Sequence, residues 1–210
     1  GEVVVKSEQK YWEKESVFMG NHFIVRNKAH FQTSRWSGGS TTELYLYPED
    51  GSYKEGNFQC RISSAVVEVE QSEFTSLPGV KRYLSIFEGN LEMIHGETEK
   101  VRLKPYEVDC FDGGTSTVSF GQVTDFNLML KNGAEGKMET ACLKKGEKIS
   151  LKPENGEQIL AVYVKCGGVK TEGAVALAGE LLLCRNWREE VVLENTGDCK
   201  AGLGICRVRV

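Results

Sequence analysis

Polar residues recur at every second position along three segments of the chain that otherwise carry apolar side chains. Arg61 and Ser63 are separated by one residue, Asp125 and Asn127 have the same spacing, and Arg82 begins an alternating run of its own. Residues two apart point to the same face of a β-strand. An arginine beside amide and hydroxyl groups is suited to bidentate binding of a small carboxylate. The pattern therefore predicts a binding pocket on the inner face of a β-sheet.

The same charged residues have a second interpretation that the sequence leaves open. Burying an unpaired charge is costly, so charges on an apolar strand face need partners. Arg61 or Arg82 paired with Glu43, Glu88 or Asp125 would form an internal network of salt bridges. In that case the charges stabilise the fold and leave no guanidinium for a ligand.

The segment Trp36-Ser-Gly-Gly-Ser-Thr-Thr-Glu43 is rich in glycine and hydroxyl groups. It superficially resembles a phosphate-binding loop, but it lacks the Gly-Lys-Ser/Thr ending and precedes a strand rather than a helix. No helix N-terminus follows to receive an anion. We interpret the segment as a tight connection between strands at the mouth of a pocket.

The elements that position these residues are predicted to be short β-strands. From Phe23 onward apolar residues alternate with polar ones, and Gly, Asp, Asn and Pro separate the alternating segments, as in a sandwich or barrel. The clearest segments of the first half are Thr42 to Tyr47, Phe58 to Val69, Arg82 to Phe87, Leu91 to His95, Val108 to Phe111 and Asp125 to Leu130. Before them, Ser7 to Glu15 has the pattern of a short helix capped by Ser7.

After Lys131-Asn132-Gly133 a second series of strands begins, which we interpret as a repeat of the first. The order of a strand, a turn and a second strand is typical of cupins, and two such units imply a tandem cupin. The predicted fold is all-β, with two antiparallel barrel or jelly-roll halves. The predicted divisions are an N-terminal arm at 1–20, an N-terminal barrel with the pocket at 21–133, and a C-terminal barrel at 134–210.

Composition narrows the class of protein. The net charge is -4, with 26 basic and 30 acidic residues interspersed, so no basic stripe favours nucleic acid or an anionic membrane surface. No apolar run reaches the length of a membrane-spanning helix, and the first residues lack the order of a signal peptide. The seven cysteines are scattered without a Cys-x-x-Cys pair, which is typical of reduced cysteines. We expect a cytoplasmic protein.

These motifs together resemble the HutD/Ves family of tandem cupins, which in some bacteria is found beside genes of histidine utilisation. The resemblance is clear from Phe23 to Met129 and holds only in outline beyond that. It is carried by the order of Trp36 to Glu43 followed by Pro48, Arg61-Ile-Ser-Ser-Ala65, Phe74 before Pro78-Gly79, Arg82, Glu88-Gly89, Phe111-Asp-Gly113 and Asp125-Phe-Asn-Leu-Met129.

The resemblance implies a ligand pocket in the N-terminal barrel and a small-molecule carboxylate as the partner. The matching positions are Trp36, Thr41, Glu43, Arg61, Ser63, Arg82, Asp125 and Asn127. It further implies an intermediate of histidine degradation, such as N-formylglutamate or urocanate, bound in a regulatory or accessory role. Because cupins commonly dimerise through a strand edge, a homodimer is a further expectation.

Signatures of catalysis are scarce, which favours a binding role without deciding whether the protein is an enzyme. The His-x-His pair of metal-binding cupins is absent, the three histidines at 22, 30 and 95 are far apart, and no Gly-x-Ser-x-Gly elbow is present. We therefore expect no metal or cofactor and assign no catalytic residue, although a metal site built from scattered ligands stays open.

Two alternatives to a binding protein remain. One is a metal-independent isomerase or lyase, with Glu43, Asp125 or Glu88 as general base and Arg61 stabilising the anion. A carboxyl pKa raised toward neutrality would favour it, whereas pairing with an arginine would lower that pKa. The other is a structural partner protein, which would have a pocket filled by side chains and an exposed apolar patch.

Overall fold

The structure, a computed structural model, describes residues 20–210. The predicted helix from Ser7 to Glu15, and all of the predicted arm except Gly20, lie outside the described residues. Residues 20–210 fold into antiparallel β-strands without a helix, which confirms the predicted all-β class. None of this part of the chain has the helical length and apolarity needed to cross a membrane.

In chain order the strands are β1 (Ile24–Arg26), β2 (Gln32–Trp36), β3 (Gly39–Tyr47), β4 (Cys60–Val67), β5 (Gln71–Glu73), β6 (Lys81–Glu88), β7 (Leu91–His95), β8 (Glu99–Leu103), β9 (Val108–Asp112), β10 (Thr117–Phe120), β11 (Val123–Leu130), β12 (Glu135–Leu143), β13 (Lys148–Leu151), β14 (Ile159–Cys166), β15 (Gly168–Thr171), β16 (Ala174–Leu177), β17 (Leu181–Cys184), β18 (Val191–Glu194) and β19 (Ala201–Arg209).

The strands form two sheets in each half of the chain. The N-terminal barrel, as we use the term, consists of a six-stranded sheet in the order β2-β3-β4-β11-β6-β9 and a four-stranded sheet in the order β5-β10-β7-β8. The C-terminal barrel consists of sheets in the orders β1-β17-β14-β19-β12 and β13-β18-β15-β16. The order β4-β11-β6-β9 thus recurs as β12-β19-β14-β17, so the two halves repeat one arrangement.

The first described strand crosses between the halves. In β1, Ile24 pairs with Leu183 of β17, and Arg26 pairs with Leu181. The segment predicted as the N-terminal barrel, residues 21–133, therefore begins with a strand held in the sheet of the C-terminal half. The two halves are then joined a second time at Asn132 and Gly133, whose positive φ angles of 53° and 86° form the predicted turn between β11 and β12.

The two faces of β11 contact different parts of the molecule, because successive side chains point to opposite sides of the strand. Phe126, Leu128 and Leu130 are buried in a core shared with Ile159 and Cys206 of the C-terminal barrel. The ring of Phe126 lies so close to the main chain of β19 that a Cβ added to Gly204 would be 2.4 Å from it. The opposite face of β11 points into the N-terminal barrel, and this face positions the candidate site.

Candidate functional site

A cavity of about 300 Å³ lies against the inner face of the six-stranded sheet. Its floor is formed by β4, β6 and β11, and its walls by the loop after β3 and the segment from β5 to Leu77. The lining residues are Ser34, Trp36, Thr41, Tyr53, Arg61, Ser63, Ala65, Val67, Ser72, Glu73, Phe74, Thr75, Leu77, Arg82, Asp125, Asn127 and Met129.

All of the site residues predicted from the sequence line this cavity except Glu43. Strand register brings them together, because Asn127 of β11 pairs with Ser63 of β4, and Met129 pairs with both Arg61 and Arg82. Partners across adjacent strands share a face of the sheet. Residues far apart in sequence therefore project into one space, as the alternation predicted.

Arg82 has a buried guanidinium that finds no carboxylate partner in the part of the chain that the structure describes. Only 7% of the residue is exposed, and its Nη2 donates a hydrogen bond of 2.9 Å to Oδ1 of Asn127. Its Nε–H is buried without an acceptor among the described residues, and no Asp or Glu oxygen of residues 20–210 lies within ion-pair distance. Burial lowers the pKa of Arg82, which the charge of Asp125 partly opposes, but a guanidinium remains charged in proteins.

Two aromatic rings flank this guanidinium. The Cζ atom of Arg82 lies 4.9 Å from the ring centre of Phe74 and 5.3 Å from that of Phe111. His95 stacks on Phe111, with ring centres 4.3 Å apart. Cation–π contacts of this kind recover part of the lost hydration without using any N–H donor of the guanidinium.

Asp125 is the buried carboxyl of the cavity. Its Oδ1 accepts hydrogen bonds of 2.8 Å from the main-chain N–H of Ala65 and from Nδ2 of Asn127. Burial raises its pKa to about 6, which those hydrogen bonds and the charge of Arg82 offset only in part. The pKa of Asp125 therefore lies well above that of an ordinary aspartate.

Arg61 differs from Arg82 because its charge is already paired. Its Nε donates to Oε2 of Glu43 at 2.9 Å, and its Cζ lies 3.7 Å from the centre of the Tyr53 ring. Of the two interpretations of these charges, the internal salt bridge holds for Arg61 and Glu43, while Arg82 stays outside such pairing in the described chain. Glu88 lies away from the cavity, near Lys165 and Thr124.

The segment after β2 forms the mouth of the cavity. Trp36 is 39% exposed, and its Nε1 donates a hydrogen bond of 3.2 Å to Oγ1 of Thr41. A Cβ added to Gly38 would lie 2.2 Å from the Trp36 ring, so the glycine leaves room for the indole. This is the tight strand connection at a pocket mouth that the sequence predicted.

Several residues of the cavity escaped the sequence prediction. Tyr53 lies in an irregular loop, and Glu73 and Phe74 lie at the end of the three-residue strand β5. Such short or irregular segments have no alternation to mark an inner face. Phe74 had a signal only in its motif position before Pro78-Gly79.

The histidines lie apart from the cavity lining. His95 is buried, with Nδ1 2.7 Å from Oγ1 of Thr117 and Nε2 2.7 Å from Oδ2 of Asp109. Both ring nitrogens are thus occupied by protein partners. Residues 20–210 contain no group of three or more His, Cys, Asp or Glu side chains placed to hold a metal ion.

Comparison with models of known protein families identifies one that matches most of this chain. The family model described as HutD matches residues 28–201. No curated protein matches the chain by sequence.

Solved structures share the fold at low sequence identity. A conserved protein of unknown function from Pseudomonas aeruginosa PAO1 superposes with a TM-score of 0.75 at 17% identity, over 90% of this chain and 100% of that one. HutD from Pseudomonas fluorescens SBW25 gives a TM-score of 0.70 at 18% identity, over 89% and 98%. A Cupin 2 conserved barrel domain protein from Leptotrichia buccalis gives 0.54 at 15% identity, over 89% and 96%. The fold is therefore that of the cupins.

Proposed function

Since the chain belongs to the HutD family, we propose that its N-terminal barrel binds a small carboxylate in a regulatory or accessory role. The observation that carries this proposal is the buried guanidinium of Arg82, which forms no ion pair within residues 20–210. The ligand class includes intermediates of histidine degradation such as N-formylglutamate and urocanate.

Energetics support a ligand at this position. A charge removed from water costs several kcal/mol unless it is paired and hydrogen-bonded. Within the described chain the guanidinium of Arg82 makes one hydrogen bond, to Asn127, although a guanidinium has five N–H donors. A carboxylate would supply both the missing charge and parallel acceptors, in the bidentate geometry that arginine favours.

The size and the lining of the cavity support the same ligand class. About 300 Å³ is at the lower end of the range for small-molecule pockets. Ser63 and Asn127 add polar groups beside Arg82, while Phe74 and Met129 supply apolar walls. The solved structure of HutD from Pseudomonas fluorescens is named for a formate condition. Formate is therefore a suitable first probe.

A second candidate function is favoured by Asp125. The raised pKa of about 6 suits a general base, because a catalytic group works best when its pKa lies near the operating pH. In a metal-independent isomerase or lyase, Asp125 would take the proton. Arg82 would stabilise the resulting anion in place of Arg61, which is already paired with Glu43.

A thermal-shift screen tests the binding proposal. Metal-stripped protein is exposed to formate, N-formylglutamate, urocanate, dicarboxylates and divalent metals. A ligand at about 100 times its dissociation constant adds about 2.7 kcal/mol of stability. We expect stabilisation by a carboxylate that Arg82→Gln abolishes and Arg102→Gln preserves, because Arg102 is exposed on the same barrel.

Stabilisation by a metal alone, or an equal carboxylate response in Arg82→Gln, would reject the proposal. To separate the two functions, NMR follows each stabilising carboxylate over hours of incubation. A binding protein leaves the spectrum unchanged. Conversion of the carboxylate by the native protein, lost in Asp125→Asn, would instead establish the enzyme.

A further inference from the structure

We propose that the ligand carries a hydrogen-bond acceptor in addition to its anionic group, and that its binding delivers one proton from solvent to Asp125. This inference rests on the proposed function, because it assumes that an anion binds at Arg82. It adds the second recognition group and makes binding dependent on pH.

The first support is that the two carboxyl oxygens of Asp125 differ in their hydrogen bonds to the protein. Both protein hydrogen bonds to the carboxyl group, from Ala65 and Asn127, end on Oδ1. In the described chain no hydrogen bond reaches Oδ2, and that atom is not among the buried atoms left without a partner. Oδ2 is therefore the oxygen available to the cavity that Asp125 lines.

The second support is the orientation of Asn127. Because arginine can only donate, Oδ1 of the Asn127 amide must face Arg82, and Nδ2 must then face Asp125. The amide lies between the guanidinium and the carboxyl group. Arg82 and Asp125 consequently share a cavity without forming an ion pair among residues 20–210.

A bound anion changes the balance at Asp125. The positive charge of Arg82 favours the ionised form of Asp125, while burial opposes it and already raises the pKa of Asp125 to about 6. A carboxylate on Arg82 would neutralise that charge and add a negative charge nearby, and both effects favour protonation. The neutral carboxyl group then presents an O–H donor through Oδ2.

An O–H donor in the cavity needs an acceptor on the ligand, since a buried donor without a partner is costly. A carbonyl, an amide oxygen, a ring nitrogen or a second carboxyl group meets this requirement. The charged and titratable groups that face the cavity around Asp125 are Arg61 on β4 with its partner Glu43 on β3, Arg82 on β6, Glu73 on β5 and Tyr53 from the loop after β3.

Calorimetry with N-formyl-L-glutamate as the probe tests the inference. Pentanoate is the matched probe, because it keeps one carboxylate on the same five-carbon chain and lacks both the formamide and the second carboxylate. Titrations at pH 6, 7 and 8, in two buffers of different ionisation enthalpy, give the affinity and the number of protons taken up. The proteins are the native chain and Asp125→Asn, whose neutral amide retains an acceptor for Ala65 and a donor toward the cavity.

For the native protein we expect proton uptake that approaches one per ligand at pH 8. Its affinity then falls by about tenfold per pH unit above pH 7, the limit set by one coupled proton. In Asp125→Asn the uptake disappears and the affinity becomes independent of pH. Pentanoate binds more weakly than N-formyl-L-glutamate to both proteins.

The inference is overturned if Asp125→Asn keeps the same uptake, or if the native protein binds without uptake. Equal affinity for the two probes would overturn the acceptor requirement. These results differ from failure of the proposed function itself, in which neither protein binds either probe at any pH.

Discussion

The two barrels repeat one sheet order but differ in what their inner faces carry. Strands β11 and β19 occupy equivalent positions, because β11 lies between β4 and β6 and β19 lies between β12 and β14. The inward residues of β11 are Asp125, Asn127 and Met129, and those at the same register on β19 are Leu203, Ile205 and Arg207. Arg82, opposite Met129, likewise corresponds to Leu160, opposite Arg207. Where the N-terminal barrel holds its polar cluster, the C-terminal barrel holds an apolar core.

Both barrels bury arginine side chains, and Arg207 of the C-terminal barrel differs from Arg82 in its partners. Arg207 lies over the ring of Trp187, and its Nε and Nη2 bind the carboxylate of Glu157 at 2.8 to 3.1 Å. Its Nη2 donates in addition to the main-chain oxygen of Lys152. Among residues 20–210, the guanidinium of Arg82 has a hydrogen bond to Asn127 and no carboxylate partner. The comparison teaches that burial of an arginine marks a site only when its partners are missing.

The largest effect is expected when the ion pair between Glu157 and Arg207 of the C-terminal barrel is broken. Glu157→Gln keeps a side-chain acceptor but removes the charge that pairs with Arg207. We expect a loss of about 3 to 4 kcal/mol in the free energy of unfolding, toward the lower end for a buried pair that loses one partner, because Glu139 and Glu154 still lie 3.5 and 3.9 Å from Arg207. Urea denaturation measures it, with Glu139→Gln as control, because Glu139 is 36% exposed and lies 3.5 Å from Arg207. Equal losses in the two variants would contradict the comparison.

The next effect concerns pH and the carboxyl group of the N-terminal barrel. The folded-state pKa of Asp125, about 6, lies above its ordinary value of 3.8, so the folded state binds the proton more tightly than the unfolded state. The stability from this group is present below pH 4 and is lost as pH rises through 6. The shift corresponds to about 3 kcal/mol.

Asp125→Asn should remove this pH dependence. Relative to the native protein, its free energy of unfolding should rise by about 3 kcal/mol between pH 4 and pH 7. Asp198→Asn is the control, since the side chain of Asp198 is 89% exposed. Urea denaturation across this pH range measures both variants. A constant difference between Asp125→Asn and the native protein would show that Asp125 has an ordinary pKa.

A smaller effect is expected when the N-terminal barrel is given the residues of its counterpart. The double variant Arg82→Leu/Asn127→Ile introduces the side chains found at Leu160 and Ile205. Without ligand, we expect a net gain of about 1 kcal/mol, because removal of the buried charge outweighs the lost hydrogen bond from Asn127 to Asp125. Thermal unfolding should show this gain together with loss of every carboxylate response. A large loss of stability would mean that Arg82 supports the fold.

The smallest effect is expected at the mouth of the cavity. Thr41→Val removes the acceptor of the Trp36 N–H at the exposed mouth. The free energy of unfolding should change by no more than about 0.5 kcal/mol, while dissociation of the bound carboxylate becomes faster because the indole loses its anchor. Stopped-flow kinetics and urea denaturation measure the two quantities. A larger loss of stability would show that the contact between Trp36 and Thr41 stabilises the fold rather than the bound ligand.

Strand alternation was readable from the sequence wherever a strand is long and has one apolar face. The segments around Arg61, Arg82 and Asp125 therefore identified most of the polar floor of the cavity before its geometry was known. Strands without such a contrast between their two faces were not predicted. The residues of β2 are all exposed, so this strand has no apolar face that would mark it. Strands β15 and β16 have four residues each, which is too short for a clear periodic pattern.

By itself, the sequence determined the all-β class, the turn that joins the halves and the inward position of the polar residues, because these depend on local spacing and on turn residues. Only the tertiary structure decided that β1 belongs to the C-terminal sheet, that Glu43 neutralises Arg61, and that Arg82 and Asp125 stay unpaired within the described chain. Charge pairing and burial depend on distances between strands that are far apart in sequence. Spacing along the chain does not contain those distances.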